Sequence, residues 1–250
     1  MGDPPPLLPT LPESFDGFRL ELDPERQRAD VILDRPPLNI VTMAEREQLR
    51  AVFEALDADA RIRVVMLRAA GEHFSSGGEI SGFLDASPEH VSRLAWNIAA
   101  PARCRKPVIA ASRGYCFGVS FELALACDFR IVSETCLYSL PEQHLGQIPG
   151  SGGAARLQRM VGITRAKDIV MRSRRIPGRQ AYEWGIATEC VADAELEAAT
   201  ERFVEDARVP AAGPAHREEA AERHRGREFV AGDRAGGAGL WSAARLGRFP

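Results

Sequence analysis

Short stretches of apolar, β-branched residues alternate with helix-length segments through most of this 250-residue chain. The first two stretches flank a polar turn, which predicts a β-hairpin, whereas helix-length connections separate the later ones. The predicted strands are Phe18–Leu22, Ala29–Leu33, Arg63–Arg68, Lys106–Ser112, Phe129–Val132 and Ala187–Val191. The predicted helices are Met43–Asp57 (with Thr42 as N-cap), Pro88–Ala102, Gly118–Ala126, 153–161, Thr164–Arg172, Gly178–Trp184 and Asp193–Arg208. This order predicts an α/β layered fold with mainly parallel strands.

The composition excludes several classes of function. Hydrophobic residues make up 45% of the chain and charged residues 27%, which is typical of a globular domain. A net charge of −3 gives no strong field for nucleic acid or a membrane surface, so neither is an expected partner. No apolar run reaches the roughly 18 residues that a membrane span needs, and the proline-rich start lacks the basic region of a secretory signal.

The five cysteines predict single buried thiols. Their number is odd and none forms a CxxC pair, so neither a zinc site nor a disulfide framework is expected. We therefore predict no metal, and a reducing cytoplasmic location.

Three segments carry residues that are suited to chemistry. The loop His73–Ile80 is rich in Gly and Ser and follows a buried strand, and Arg113–Leu123 is a glycine-containing turn that enters an apolar helix. The third segment, Leu140–Gly146, is soon followed by the glycine-rich loop Pro149–Gly153. Because loops that follow parallel strands open into one crevice, the three segments are expected to meet there.

Two glutamates lie in these segments. Glu122 interrupts the apolar run FELALACDF, where an ionised carboxylate is costly unless it is paired, hydrated or used. Taken alone, Glu122 is explained as an acceptor of backbone N–H groups or a partner of an arginine, and Glu142 as the start of a helical turn. Together with two loop amides they have a chemical use. Paired amides make an oxyanion hole for a thioester enolate, and two carboxylates place water and a proton on the adjacent C=C bond.

The order and spacing of these motifs resemble the crotonase (enoyl-CoA hydratase/isomerase) family. The run from Pro107 to Gly162 looks like its central signature: a KPVIAA strand, an ELALACD helix, a PE-x-x-LG-x-IPG-x-GG loop and a helix that ends in VG. FSSGGEI resembles its first oxyanion segment, DRPPLN its early turn, and GRQAYEWGIATECV its A-x-x-x-GI-V segment. The resemblance covers about Phe18 to Arg208.

The resemblance implies roles for particular residues. Glu122 matches the glutamate that holds and deprotonates water, and Glu142 the one that exchanges a proton with C2. The oxyanion donors are the backbone N–H groups of Gly78 and Val119. The remaining substrate-binding positions are Ser76, Gly77, Ile80 and Gly118.

The resemblance also implies the fold and the partners. The expected fold is α/β, a crotonase-like spiral of β-β-α repeats with helices around two stacked sheets, assembled as a homotrimer or hexamer. Acyl-CoA is the expected small-molecule substrate in fatty acid β-oxidation. No cofactor is expected, because coenzyme A enters as part of that substrate. Val119 stands where many members have glycine, and its side chain can reshape the acyl pocket.

Other interpretations of the motifs are weaker. Residues 150–155 fit G-x-G-x-x-A but follow no clear strand of a βαβ unit, so they do not predict dinucleotide binding. No G-x-S-x-G surrounds Ser120 or Ser151, and His144 is expected to be solvated or hydrogen-bonded. Three hypotheses remain: a 2-enoyl-CoA hydratase, a hydrolase (of CoA esters or C–C bonds) or isomerase of the same family, and a scaffold that binds acyl-CoA without turnover.

The two ends of the chain differ from its centre. Residues 1–16 are predicted to be a disordered, proline-rich lead-in and 17–208 the core domain. From Val209 onward the sequence is rich in Ala, Arg and Gly and lacks Ile, Met, Thr and Lys. In a frame shifted by one base, Pro214–Arg225 and Phe229–Trp241 can both be encoded as amphipathic helical sequence. We hypothesise a frameshift near residues 207–210, so that 209–250 replaces the trimerisation helices, and DNA sequencing tests it.

Overall fold

In the computed structural model, which describes residues 11–12, 14–81 and 87–207, the strands form two separate sheets. The larger contains, in spatial order, β1 (Phe18–Asp23), β2 (Arg28–Leu33), β3 (Val64–Ala69), β4 (Val108–Ser112), β6 (Phe129–Ser133) and β9 (Glu189–Val191). The smaller contains β5 (Tyr115–Phe117), β7 (Leu137–Ser139) and β8 (Ile176–Pro177). β1 and β2 form the predicted antiparallel hairpin, and the other pairs of the larger sheet are parallel. The predicted α/β class with two sheets is confirmed.

The helices lie between these strands. They are α1 (Met43–Ala58), α2 (Pro88–Ser92), α3 (Leu94–Ile98), α4 (Ala100–Arg103), α5 (Val119–Ala126), α6 (Gly153–Met171), α7 (Gly178–Glu183) and α8 (Leu196–Ala207), with 3-10 helices at Pro141–Leu145 and Asp193–Glu195. α1 starts at the predicted N-cap: the Thr42 hydroxyl accepts from the Glu45 N–H at 3.1 Å, and the Glu45 carboxylate accepts from the Thr42 N–H. This reciprocal capping box satisfies two amides that have no acceptor within the helix.

The alternation of side chains along the strands divides the larger sheet into two faces. Val65 and Leu67 point to the main core, whereas Val64 and Met66 of the same strand point to a second cluster beneath α8. The main core also receives the buried faces of α1 and α5. Burial on both faces explains why these strands read as nearly continuous apolar runs.

The structure differs from the sequence prediction in three places. The strands of the smaller sheet were not predicted, because two or three residues are too few to show a period of two. The predicted helix Pro88–Ala102 is three short helices that break at Arg93 and Ala99. Within the predicted lead-in 1–16, Leu11 and Phe15 pack against the main core, so packing extends upstream of the predicted boundary at residue 17. The predicted tail 209–250 lies outside the described residues.

The thiols are free, as predicted. Four of the five are buried and Cys190 is partly exposed. Within the described ranges, no helix combines the length and apolar character needed to cross a bilayer.

Candidate active site

One cavity of about 140 Å³ is lined by all eight residues that the sequence singled out. They come from the loop after β3, the start of α5 and the 3-10 helix at Pro141–Leu145: Ser76, Gly77, Gly78, Ile80, Gly118, Val119, Glu122 and Glu142. Further lining residues are Arg46 on α1, Leu94 on α3, and the segment that includes Leu145, Gln147, Ile148, Gly150 and Ser151. The structure therefore brings residues of all three motif segments into one cavity.

Backbone hydrogen bonds hold the first two motif segments side by side. Ser75 forms a parallel bridge with Cys116: its N–H donates to the Tyr115 carbonyl at 2.8 Å, and its carbonyl accepts from the Phe117 N–H at 3.1 Å. The hydroxyl of Ser120 donates to the carbonyls of both Ser75 and Phe117. These bonds fix the loop before Gly78 against the turn that begins α5.

Gly78 and Val119 line the same cavity. Gly78 is bridged to Val41 in parallel fashion, with the bonds made by the flanking Gly77 carbonyl and Glu79 N–H. In this geometry the N–H of Gly78 itself points away from Val41. Val119 is the first residue of α5, and first-turn amides have no acceptor within their own helix. A Cβ on Gly78 would lie 3.3 Å from Cγ1 of Val119, so the two segments are in close contact.

Glu122 is held rigidly. Its side chain is buried (2% exposed), and its Oε1 accepts from the N–H groups of Ser151 at 2.8 Å and Gly153 at 2.9 Å. A Cβ on Gly153 would lie only 2.7 Å from Cγ of Glu122, so glycine is required there for the close approach. Burial raises the pKa of Glu122, while the two amides and the charges of Arg156 and Arg46 oppose that rise.

Glu142 is held more loosely. It lies in the 3-10 helix Pro141–Leu145, and its Oε1 is 3.1 Å from the position that a Cβ of Gly118 would take. Its Oε2 is buried, and no described residue offers it a hydrogen bond. Burial and then the nearby charge of Glu122 raise the pKa of Glu142 to about 8. A carboxyl group with this pKa is mostly protonated at neutral pH and can give up a proton.

Arg46 is a cavity residue that the motifs did not reveal. It is 2% exposed, and burial lowers its pKa to about 10 against the opposing charges of Glu122, Glu45 and Glu142. One signal in the sequence pointed to it. Arg46 falls on the 3.6-residue stripe of Met43, Leu49 and Phe53, which is the buried face of α1.

The structure also shows where the remaining candidates from the sequence lie. The glycine-rich loop that matched G-x-G-x-x-A donates its amides to Glu122. His144 is exposed and does not line the cavity. Among the described residues, no cluster of three or more His, Cys, Asp or Glu side chains is arranged to hold a metal ion.

Comparisons with known proteins agree with this architecture. The sequence profile of the enoyl-CoA hydratase/isomerase family matches residues 26–220. Carnitinyl-CoA dehydratase from Shigella flexneri is 34% identical over 171 residues, which cover 67% of this chain and 66% of the relative. The chain thus spans slightly less than two thirds of that relative's length.

Solved structures share the fold. An enoyl-CoA hydratase from Mycobacterium avium subsp. paratuberculosis K-10 superposes with a TM-score of 0.79 at 25% identity, covering 93% of this chain and 95% of the other. A protein from Thermobifida fusca YX, solved in complex with acetoacetyl-CoA, gives a TM-score of 0.75 at 28% identity, with 92% and 94% covered. The fold is that of the crotonases, and the chain belongs to the enoyl-CoA hydratase/isomerase family.

Proposed function

We propose that this protein is an enoyl-CoA hydratase, which adds water reversibly across the C2=C3 bond of a 2-enoyl-CoA thioester. The observation that carries the proposal is the meeting of two glutamate side chains with the backbone of Gly78 and Val119 in one cavity. A scaffold that only binds acyl-CoA has no need of one buried and one half-buried glutamate beside those amides, because burying a carboxyl group costs free energy.

In the proposed reaction, the N–H groups of Gly78 and Val119 bind the thioester carbonyl oxygen and draw electron density from C3. Glu122 accepts a proton from a water molecule as the water oxygen bonds to C3. The π electrons of C2=C3 move toward the carbonyl to form an enolate. C2 then takes a proton from Glu142, and proton exchange with solvent restores both carboxyl groups.

The electrostatics of the two carboxyl groups support this division of roles. The raised pKa of Glu142, about 8, keeps it protonated at neutral pH, as a proton donor must be. Glu122 must be ionised to act as a base. Burial raises the pKa of Glu122, while its two backbone hydrogen bonds and the charges of Arg156 and Arg46 act in the opposite direction and favour the carboxylate form.

The relatives support the same chemistry. The Shigella flexneri relative is named a dehydratase, and dehydration is the reverse of hydration. The Thermobifida fusca protein holds acetoacetyl-CoA, a thioester with a short acyl chain. For this chain, both the hydration reaction and the choice of a CoA thioester remain our proposal.

The test is a paired assay with crotonyl-CoA. Loss of the ultraviolet absorbance of the conjugated thioester reports hydration, and a thiol reagent reports release of free coenzyme A. We expect hydration without thiol release. Glu122→Gln and Glu142→Gln should each lower kcat by about 10²- to 10⁴-fold, the usual contribution of a general acid or base.

A control and a contrary result define the test. Glu25→Gln, which removes an exposed carboxylate, should leave the rate near that of the wild type. Thiol release that outpaces hydration would favour a hydrolase of the same family. A rate within threefold of wild type in either cavity variant would remove that glutamate from the mechanism.

A further inference from the structure

Arg46 is a buried cation in the cavity, and the proposed reaction gives it no role. We propose that Arg46 is a positioning residue whose guanidinium, packed against Gly78, holds the two-glutamate pair with one carboxylate and one carboxylic acid. The inference rests on the proposed function, because only a reaction that uses both carboxyl groups needs them in different protonation states.

The contact between Arg46 and Gly78 places the charge. A Cβ built on Gly78 would overlap Nη2 of Arg46 and lie 3.6 Å from its Cζ. The backbone of Gly78 is outside the left-handed region, so this overlap, rather than backbone conformation, is the main demand for glycine. The missing side chain therefore lets the guanidinium lie against the backbone whose N–H is the proposed oxyanion donor.

The charges around the cavity come from several elements. Glu45 is the neighbour of Arg46 on α1, and Glu122 from α5 and Glu142 from the 3-10 helix line the same cavity as Arg46 and attract its charge. Arg156, from α6, acts on Glu122. Of the described residues that line the cavity, Arg46 alone carries a positive charge.

Charge balance then follows. With Glu122 ionised and Glu142 protonated, Arg46 and the pair together have no net charge. A second ionisation would add negative charge to a site where burial already raises both carboxyl pKa values, and protonation of both would remove the carboxylate that lines the cavity together with Arg46. Arg46 thus favours the singly protonated pair that hydration requires.

The decisive variants separate charge from packing. Arg46→Gln and Arg46→Met remove the charge, whereas Arg46→Lys keeps it. Because a nearby opposite charge lowers a carboxyl pKa, we expect both limbs of the kcat/KM–pH profile to move up by about one pH unit in the uncharged variants. The lysine variant should keep the wild-type profile, even where kcat falls.

Gly78→Ala gives the same test with the arginine still present. The new methyl group displaces the guanidinium, so the profile should shift in the same direction by a smaller amount, together with a loss of kcat. Arg50→Gln is the matched control, because Arg50 lies one turn further along α1, outside the cavity, and pairs with Glu54. Its profile should match the wild type.

The outcomes are distinct. If neither uncharged variant folds, as judged by thermal melting, Gly78→Ala and Arg46→Lys still decide between charge and packing. A purely structural role would lower stability and kcat without moving the pH profile, and unshifted profiles overturn the inference.

If the wild type hydrates no enoyl-CoA, the proposed function fails instead. The dissociation constant of acetoacetyl-CoA against pH then reports the ionisation of the pair without turnover, and an inflection unchanged in Arg46→Gln also overturns the inference.

Discussion

The two glutamates of the cavity are built into the chain in opposite ways. Glu122 lies within a buried helix, and two backbone amides from the loop before α6 fix its Oε1. Glu142 lies in a five-residue 3-10 helix, and no described residue hydrogen-bonds its buried Oε2. One acid is therefore fixed in position by hydrogen bonds, whereas burial and the charge of its neighbour raise the pKa of the other.

This difference suits the two proposed roles. A base that must orient water gains from a rigid carboxylate, because misplacement of reacting atoms by about 1 Å is costly. At Glu122 burial raises the pKa, and the two hydrogen bonds to the charged form limit that rise. An acid that must release a proton gains from an environment that keeps it neutral, as burial and the neighbouring carboxylate do for Glu142.

The largest effect expected from breaking this contrast comes from Gly153→Ala. The new methyl group would lie 2.7 Å from Cγ of Glu122, so the rigid carboxylate must move. We expect kcat for crotonyl-CoA hydration to fall by about 100-fold, the cost typical of a small misplacement. Steady-state kinetics measures the loss. Circular dichroism checks the fold, since alanine itself suits the start of α6.

A double-mutant cycle sharpens the same test. If Gly153→Ala acts through Glu122, it should have little further effect in a Glu122→Gln background, because contacting residues are not additive. Full additivity of the two losses would show that the loop acts on the cavity in some other way.

A smaller effect is expected from the side chains on the two sides of the cavity. Val119 is buried against the Gly78 segment on the rigid side, whereas Ile148 is 56% exposed on the side of Glu142. Val119→Gly keeps the oxyanion N–H but enlarges the pocket. The ratio of kcat/KM for a branched or aromatic enoyl-CoA over that for crotonyl-CoA should therefore rise about tenfold.

Ile148→Ala is the matched control for that substitution. Its exposed side chain should contribute little to discrimination, so the ratio should change by less than threefold. Equal changes of this kcat/KM ratio in the two variants would mean that the acyl group does not bind against Val119.

The same contrast explains what the sequence could predict. Glu122 was recognisable because a charged residue inside an apolar helix is costly, and the spacing of the surrounding motifs matched a family pattern. Its two amide partners were not recognisable, because the sequence of the glycine-rich loop at 150–153 does not show which acceptor its amides meet until the fold brings it to α5. Arg46 falls on the apolar stripe of α1, which indicates burial, but its charged and polar neighbours Glu45, Glu47 and Gln48 gave no indication of what it would pack against. Only the packing of α1 against Gly78 makes it a cavity residue.

The last expected effect is on stability rather than on rate, and it tests the protonation of Glu142 without turnover. Its folded-state pKa, about 8, lies above its ordinary value of 4.5, so between these values the folded state holds a proton that the unfolded state has lost. This contribution is fully present below pH 4.5 and is lost as pH rises through 8. Glu142→Gln cannot titrate, so it should match the wild type at pH 4 and be more stable at pH 9 by a few kcal/mol, since each pKa unit of the shift is worth about 1.4 kcal/mol. Urea unfolding at the two pH values measures the difference.

Glu45, whose pKa is about 7, titrates in both proteins, so its contribution to the stability difference cancels. Parallel stability curves for the two proteins would mean that Glu142 is already ionised at neutral pH, and the contrast between the two glutamates would then be one of geometry alone.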